Sequence, residues 1–352
     1  MLAAWMLAAL FPAVSSAEPA NAKVQRFARS ELHMGVEFEV VVYAADAEVA
    51  KMATGRAFVR VAALDKALSD YDLESELSRL SATSTVADSR AAAPAGGFPA
   101  VKLSDDLWTV LSFSQEVSEK SGGAFDMTVG PLTKLWRRAR RQKALPEPEL
   151  FNPAKAAVGY RFLQLDAMER TARLRKPNMR LDLGGIAKGF AADEALAEIK
   201  RLGIAQALVR ASGDIAAGDP PPGEAGWLVG IAPLDPDEPP TRFVRLANMA
   251  VSTSGDSRQH LEIDGQRYSH IVDPRTGLGV LGKSSVTVIA ARGIAADSLA
   301  TAVSILGPDQ GLDLVAKYKG AALLMVADDG KGNLREVASP SFGGFEIRPL
   351  KE

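Results

Sequence analysis

Two adjacent glycines, Gly184 and Gly185, sit in the stretch 181–194 (Leu-Asp-Leu-Gly-Gly-Ile-Ala-Lys-Gly-Phe-Ala-Ala-Asp-Glu), between a short apolar segment and a run with helical spacing. The pattern predicts a short strand, a glycine turn and the first turns of a helix. Without Cβ atoms the turn backbone can come close to a ligand. A helix starting beside it aims free N–H groups and its positive dipole end into the same space. Such a place suits a phosphate. A plain tight turn also accounts for the two glycines, so the rest of the chain has to decide between these readings.

Of the 352 residues, 47% are apolar and 24% charged, which is enough for a large core in one domain or two smaller ones. A net charge of -2 supplies no field for nucleic acid, and nucleic-acid binding is disfavoured. The absence of cysteine removes disulfides, thiolate nucleophiles, thiolate zinc sites and iron–sulfur clusters together. With only His33, His260 and His270 available, any metal should be a hard cation held by oxygens, magnesium or calcium.

Residues 1–22 have the features of an export signal. An apolar run at 2–14 precedes Ser15-Ser16-Ala17, with small residues at the cleavage positions, although the usual positive start is missing. The expectation is a signal over 1–22, one folded unit over 23–352, and export. With no cysteine the chain is not expected to be a lipoprotein. No later segment is apolar for the length of a membrane span, so no transmembrane segment is expected in the mature chain.

Strands are predicted at 38–43, 207–210, 227–231, 250–253, 285–290 and 321–326, where β-branched and apolar residues cluster between turn residues. Helices are predicted at 47–68, with Asp46 as cap and Val49, Met52, Val61, Leu64 and Leu68 inward, and from Ser104 to the Gly122-Gly123 stop. Others follow Gly185 to Gly203 and span 296–306 and 310–318. Residues 82–100 are expected to be a loop, and the run containing Arg137, Arg138, Arg140 and Arg141, which precedes the proline-rich 145–153, a solvated helix face. Strands and helices intermix without repeats or a clear linker, which predicts one α+β unit.

Asp297 and Thr301 lie four apart on a predicted helix, one turn apart on one face, a spacing that offers two oxygens to a hard cation. Alternatively, Asp297 caps the first turn and Thr301 bonds back to its own helix. His270 precedes the turn Asp273-Pro274-Arg275-Thr276-Gly277 and could serve as a general base near neutral pH or simply bond to local backbone. Residues 252–256 look like another small-residue turn. Tyr71, the one aromatic of the polar stretch 70–81, is a candidate for half-buried packing.

Taken in order, these segments resemble the ApbE family of flavin transferases. The resemblance is carried by Met34-Gly35, Tyr71 with Ser75-Glu76-Leu77, Gly123-Ala124-Phe125-Asp126 before Thr128-Val129-Gly130-Pro131, and Asp182-Leu183-Gly184-Gly185-Ile186-Ala187-Lys188-Gly189. Thr253-Ser254-Gly255, His270 to Gly277 and Asp297 to Thr301 complete it. It implies a single mixed sheet-and-helix domain, T-fold-related. It also implies an enzyme that cleaves FAD with magnesium and joins FMN to a threonine or serine of an acceptor protein, releasing AMP.

By the same resemblance Tyr71 would stack on the flavin, and Met34, Ala124, Phe125, Asp126 and Val272 would line the FAD. Asp182 and Lys188 would reach its polar parts. Gly185, through its carbonyl, would hold magnesium with Asp297, Ala300 and Thr301, and His270 would be the base. A bacterial periplasm is the implied location. Departures from the family pattern occur at Ser81, Met127, Ser212-Gly213-Asp214, Ser257 and Leu278-Gly279; none removes a proposed metal ligand or His270. A magnesium-dependent FAD pyrophosphatase remains an alternative, because it would use the same FAD and metal groups; a non-catalytic flavin binder is a further one, disfavoured by the joint presence of His270, Asp297 and Thr301.

Overall fold

Along the strand Val36–Ala44, Phe38, Val40 and Val42 enter one hydrophobic core while Val41 enters another. Burial on alternate sides means that the sheet containing this strand is covered on both faces. The computed structural model describes residues 24–87, 92–235, 237–255, 260–263, 265–328 and 333–347; the 1–22 segment and Ser257 lie outside them.

The sheet has eight strands that neighbour one another in chain order: Gln25–His33, Val36–Ala44, Ala207–Ala211, Asp214–Ala217, Ala250–Gly255, Ser284–Ala290, Ala322–Asp328 and Leu334–Ala338. Every pairing is antiparallel. The helices are α1 (Ala47–Leu68), α2 (Glu76–Ala82), α3 (Asp105–Lys120), α4 (Gly130–Gln142), α5 (Pro148–Ala156), α6 (Ala187–Arg201), α7 (Gly293–Leu306) and α8 (Pro308–Val315).

One face of the sheet carries α1, α6 and α7, which bury Phe58, Leu64, Phe190, Ile199, Leu299 and Val303 against it. The other face is covered by Trp227–Gly230 and Phe243–Leu246, whose Trp227, Val244 and Leu246 meet Val41, Leu208 and Val251. A third cluster joins α4 to the hairpin His260–Ile263/Gln266–Val272 through Leu132, Trp136, Leu261 and Val272. No described helix is long and apolar enough to cross a membrane. The architecture is the mixed α+β arrangement expected of the sequence.

Several local expectations change. Met52 lies outside the buried stripe of α1 and is 54% exposed, because Ala50, Ala53, Ala57 and Phe58 form that stripe. Residues 181–183 make no strand; Leu181 and Asp182 are held instead by Ser81 Oγ and the Met127 carbonyl. Residues 252–255 continue the Ala250–Gly255 strand rather than turning. α2 and α5 form where no helix was predicted, α5 beginning at Pro148, a residue suited to a first helical turn.

Candidate active site

The glycine turn links two groups of side chains, one around Asp182 and one around Asp297. Asp182 is buried, and both of its oxygens accept hydrogen bonds. Its Oδ1 accepts the Gly184 N–H (2.8 Å), and its Oδ2 accepts Thr133 Oγ1 (2.7 Å) and an Arg137 N–H (3.0 Å). Arg137 also donates to Asp70 Oδ2 (2.5 Å), and its guanidinium lies 4.2 Å from the Tyr71 ring centre. Tyr71 itself is 75% exposed, not half-buried. Ser69 presents it there: Ser69 Oγ accepts the N–H of both Tyr71 and Asp72, and Ser75 Oγ donates back to the Ser69 carbonyl.

The second group lies where α6 and α7 cross. A Cβ on Gly189 would fall 2.2 Å from the Gly293 carbonyl oxygen, so the backbones touch. This approach brings Asp297 Oδ2 to the Gly189 N–H (3.0 Å) and to Lys188 Nζ (3.5 Å), while the same ammonium lies 3.0 Å from Asp214 Oδ2. Burial first, and Asp214 second, push the Asp297 carboxyl up to about 7 against the pull of Lys188 and the Gly189 N–H. Burial also acts to discharge Lys188, but Asp214 and Asp297 outweigh it and keep the pKa above the ordinary lysine value. Asp193, not Asp297, caps α7, accepting the Gly293 and Ile294 N–H groups.

Thr301 Oγ1 meets the Gly185 carbonyl oxygen at 3.5 Å. A Cβ on Gly185 would lie 2.7 Å from that hydroxyl, so glycine is what leaves the two oxygens facing each other. With Asp297 one turn earlier on α7, the donors are a carbonyl, a hydroxyl and a carboxylate. Hard oxygens of this kind fit magnesium. Among the described residues no cluster of three His, Cys, Asp or Glu forms a metal site, so this one depends on main-chain and hydroxyl oxygens. Ala300 is buried in α7, and its carbonyl accepts Ser304 Oγ (2.9 Å).

The remaining predicted residues fall around these groups. Met34 and Gly35 form a hairpin turn at positive φ (49° and 73°), held by the Met34 N–H on Asp65 Oδ2. Ala124 and Phe125 are buried. Asp126 turns both carboxyl oxygens into the protein, toward the N–H and hydroxyl of Thr128 and the Tyr160 N–H. His270, half-buried, and Val272, buried, lie on the Gln266–Val272 strand, which packs against α4 and α7. Trp136 Nε1 donates to the Gly277 carbonyl (2.8 Å) and anchors the turn that follows.

Two residues in the site were not foreseen. Arg137 was read as part of a solvated run; the available signal was Thr133, four residues earlier and on the same face of α4. Asp214 was noted only as a departure, although it pairs with Lys188 and accepts Ser252 Oγ (2.6 Å).

The fold is that of an α+β enzyme, with a group of oxygen donors joined through the glycine turn, Asp182 and Arg137 to an exposed aromatic. The chain matches the ApbE family over residues 34–325 and belongs to that family. Its relatives include the FAD:protein FMN transferase of Salmonella typhimurium, 31% identical over 320 residues (89% of this chain, 87% of the relative). That of Treponema pallidum is 32% identical over 325 residues (88% and 86%). Among solved structures, the apo form of the Pseudomonas stutzeri flavinyl transferase ApbE superposes with a TM-score of 0.77 at 29% identity, covering 92% of this chain and 97% of that one.

Proposed function

We propose that this chain is a magnesium-dependent FAD:protein FMN transferase that moves FMN from FAD to a threonine or serine hydroxyl of an acceptor protein and releases AMP. The observation that carries the reading is the junction at Asp182–Gly185. Within four residues one loop engages the Arg137–Tyr71 group through Asp182 and offers a carbonyl beside Thr301 through Gly185. A flavin and a cation-bound pyrophosphate are neighbours in FAD in the same way.

On this reading Tyr71 stacks on the isoalloxazine, while Met34, Ala124, Phe125, Asp126 and Val272 shape the FAD site. Asp182 and Lys188 face polar parts of the substrate. Gly185, Asp297 and Thr301 hold magnesium, which when bound neutralises charge on the pyrophosphate. His270 takes the proton of the acceptor hydroxyl. The hydroxyl oxygen forms the new bond to the FMN phosphorus, the pyrophosphate P–O bond breaks, and AMP leaves with the electron pair. The 1–22 segment would direct the chain to the periplasm.

Incubating the protein with FAD, magnesium and an acceptor bearing a candidate threonine should give a fluorescent acceptor band that survives a denaturing gel. No band, under conditions where another family member labels the same acceptor, overturns the reading. Release of FMN and AMP without any labelled acceptor makes the protein an FAD pyrophosphatase instead.

A further inference from the structure

The basic run on α4 contains an arginine that joins two buried carboxylates. Arg137 turns inward, and its side chain is 27% exposed while those of its partners Asp70 and Asp182 are 8% and 7%. The planar fork reaches both carboxylates and lies against Tyr71 at the same time, which a lysine ammonium has no shape to do. Thr133, one turn earlier, shares Asp182 Oδ2, and the Gly184 N–H holds Oδ1. The Arg137 guanidinium therefore ties the segment bearing Tyr71 to the turn bearing Gly185. Arg180 also joins these segments by donating to the Asp70 carbonyl, but it reaches neither Tyr71 nor Asp182 as Arg137 does.

We propose that Arg137 is a positioning residue for the flavin: it covers one face of Tyr71, leaves the other face for the isoalloxazine, and fixes the Asp182 carboxylate beside it. The inference rests on the flavin-transfer reading above. Charge-assisted bonds to buried carboxylates are strong, and without Arg137 two neighbouring carboxylates lose their shared counter-charge. Tyr71 then loses the cation that orients its ring.

The test compares wild type with Arg137→Ala and Arg137→Lys, measuring affinity for FAD, FMN and AMP in magnesium, the fluorescence of the bound flavin, and thermal melting. Arg137→Ala should weaken FAD and FMN binding roughly 10- to 100-fold and leave AMP binding within twofold. Flavin that remains bound should be brighter, because stacking on Tyr71 is loosened. Arg137→Lys, which keeps a cation between the carboxylates, should fall between the two and keeps the test open if the alanine variant does not fold. Unchanged flavin affinity and quenching in the variants overturns the inference. Tighter flavin binding also overturns it, since Arg137 would then occupy the flavin's place, and an equal loss for AMP reduces Arg137 to a structural role. Wild type that binds no FAD overturns the flavin-transfer reading itself.

Discussion

Asp193 on α6 caps the neighbouring helix α7: its Oδ1 accepts the Gly293 N–H at 2.6 Å and its Oδ2 accepts the Ile294 N–H at 3.1 Å. The first turn of α7 therefore takes its acceptor from another helix. Asp297, four residues on, is left to face Lys188 and the glycine turn. The site thus depends on a contact between two helices that are 100 residues apart in sequence at this bond.

This cap should be visible in the pH dependence of stability. Burial, opposed by the two N–H groups and Arg292, raises the Asp193 carboxyl from 3.8 to about 6. Between those values the unfolded chain has lost the proton and the folded chain retains it. The stability contributed by this group is therefore full below pH 3.8 and is lost as pH rises through about 6, by up to ~3 kcal/mol. Asp193→Asn does not titrate and still offers one acceptor. The stability of wild type relative to the variant, measured by urea unfolding, should decline by up to that amount from pH 4 to pH 7. A difference that stays constant across this window would show that Asp193 does not titrate there.

Gly189→Ala should be the most damaging small substitution in the site. The added methyl would lie 2.2 Å from the Gly293 carbonyl oxygen and 2.8 Å from Asp297 Cβ. Backbone cannot give way as a side-chain tip can, so α7 must move outward and carry Asp297 with it. A loss of about 3 kcal/mol is expected, at the upper end for overpacking, with transfer activity falling as well. Gly343→Ala, where a Cβ meets nothing within 4 Å, is the control and should melt like wild type. Equal melting of both variants would mean that the helices do not cross at Gly189.

The parts of this arrangement that were legible in sequence are those set by local chemistry. α1 begins and ends where its cap and apolar spacing place it, with Asp46 accepting the Val49 N–H. Asp297 and Thr301 share a face because helical spacing requires it. Residues 25–33 gave no signal, since that edge strand is exposed along most of its length and its identity comes from pairing with Val36–Ala44. Arg137 was hidden for a related reason. Its partners lie 67 and 45 residues away, and within α4 only Thr133, on the same face, sets it apart from Arg138.

His270→Ala addresses the chemical step alone. The hairpin bearing His270 is fixed against α4 by Leu261, Val272 and Trp136, so replacing one half-buried imidazole should leave the fold and FAD affinity intact. Transfer to the acceptor should fall by about 100-fold or more, the usual contribution of a positioned base. A variant with near-normal turnover at saturating FAD would remove His270 from the reaction.

Gly185→Ala separates metal binding from folding. Its Cβ would lie 2.7 Å from Thr301 Oγ1, 3.0 Å from Thr301 Cγ2 and 3.2 Å from Thr301 Cβ. Rotating this branched side chain keeps one of the two tips against the methyl, so Thr301 must also shift by a few tenths of an ångström, at a cost to the metal-free protein of about 1 kcal/mol. The hydroxyl and the Gly185 carbonyl would then no longer face one another, and the oxygen set proposed for magnesium would be broken. Wild type should gain thermal stability as magnesium is added, by mass action on a folded-state site, and lose it on chelation. The variant should melt near metal-free wild type with or without magnesium, and its transfer activity should require far more of the ion. If Gly185→Ala responds to magnesium as wild type does, the cation is held elsewhere, and the two glycines serve only the turn.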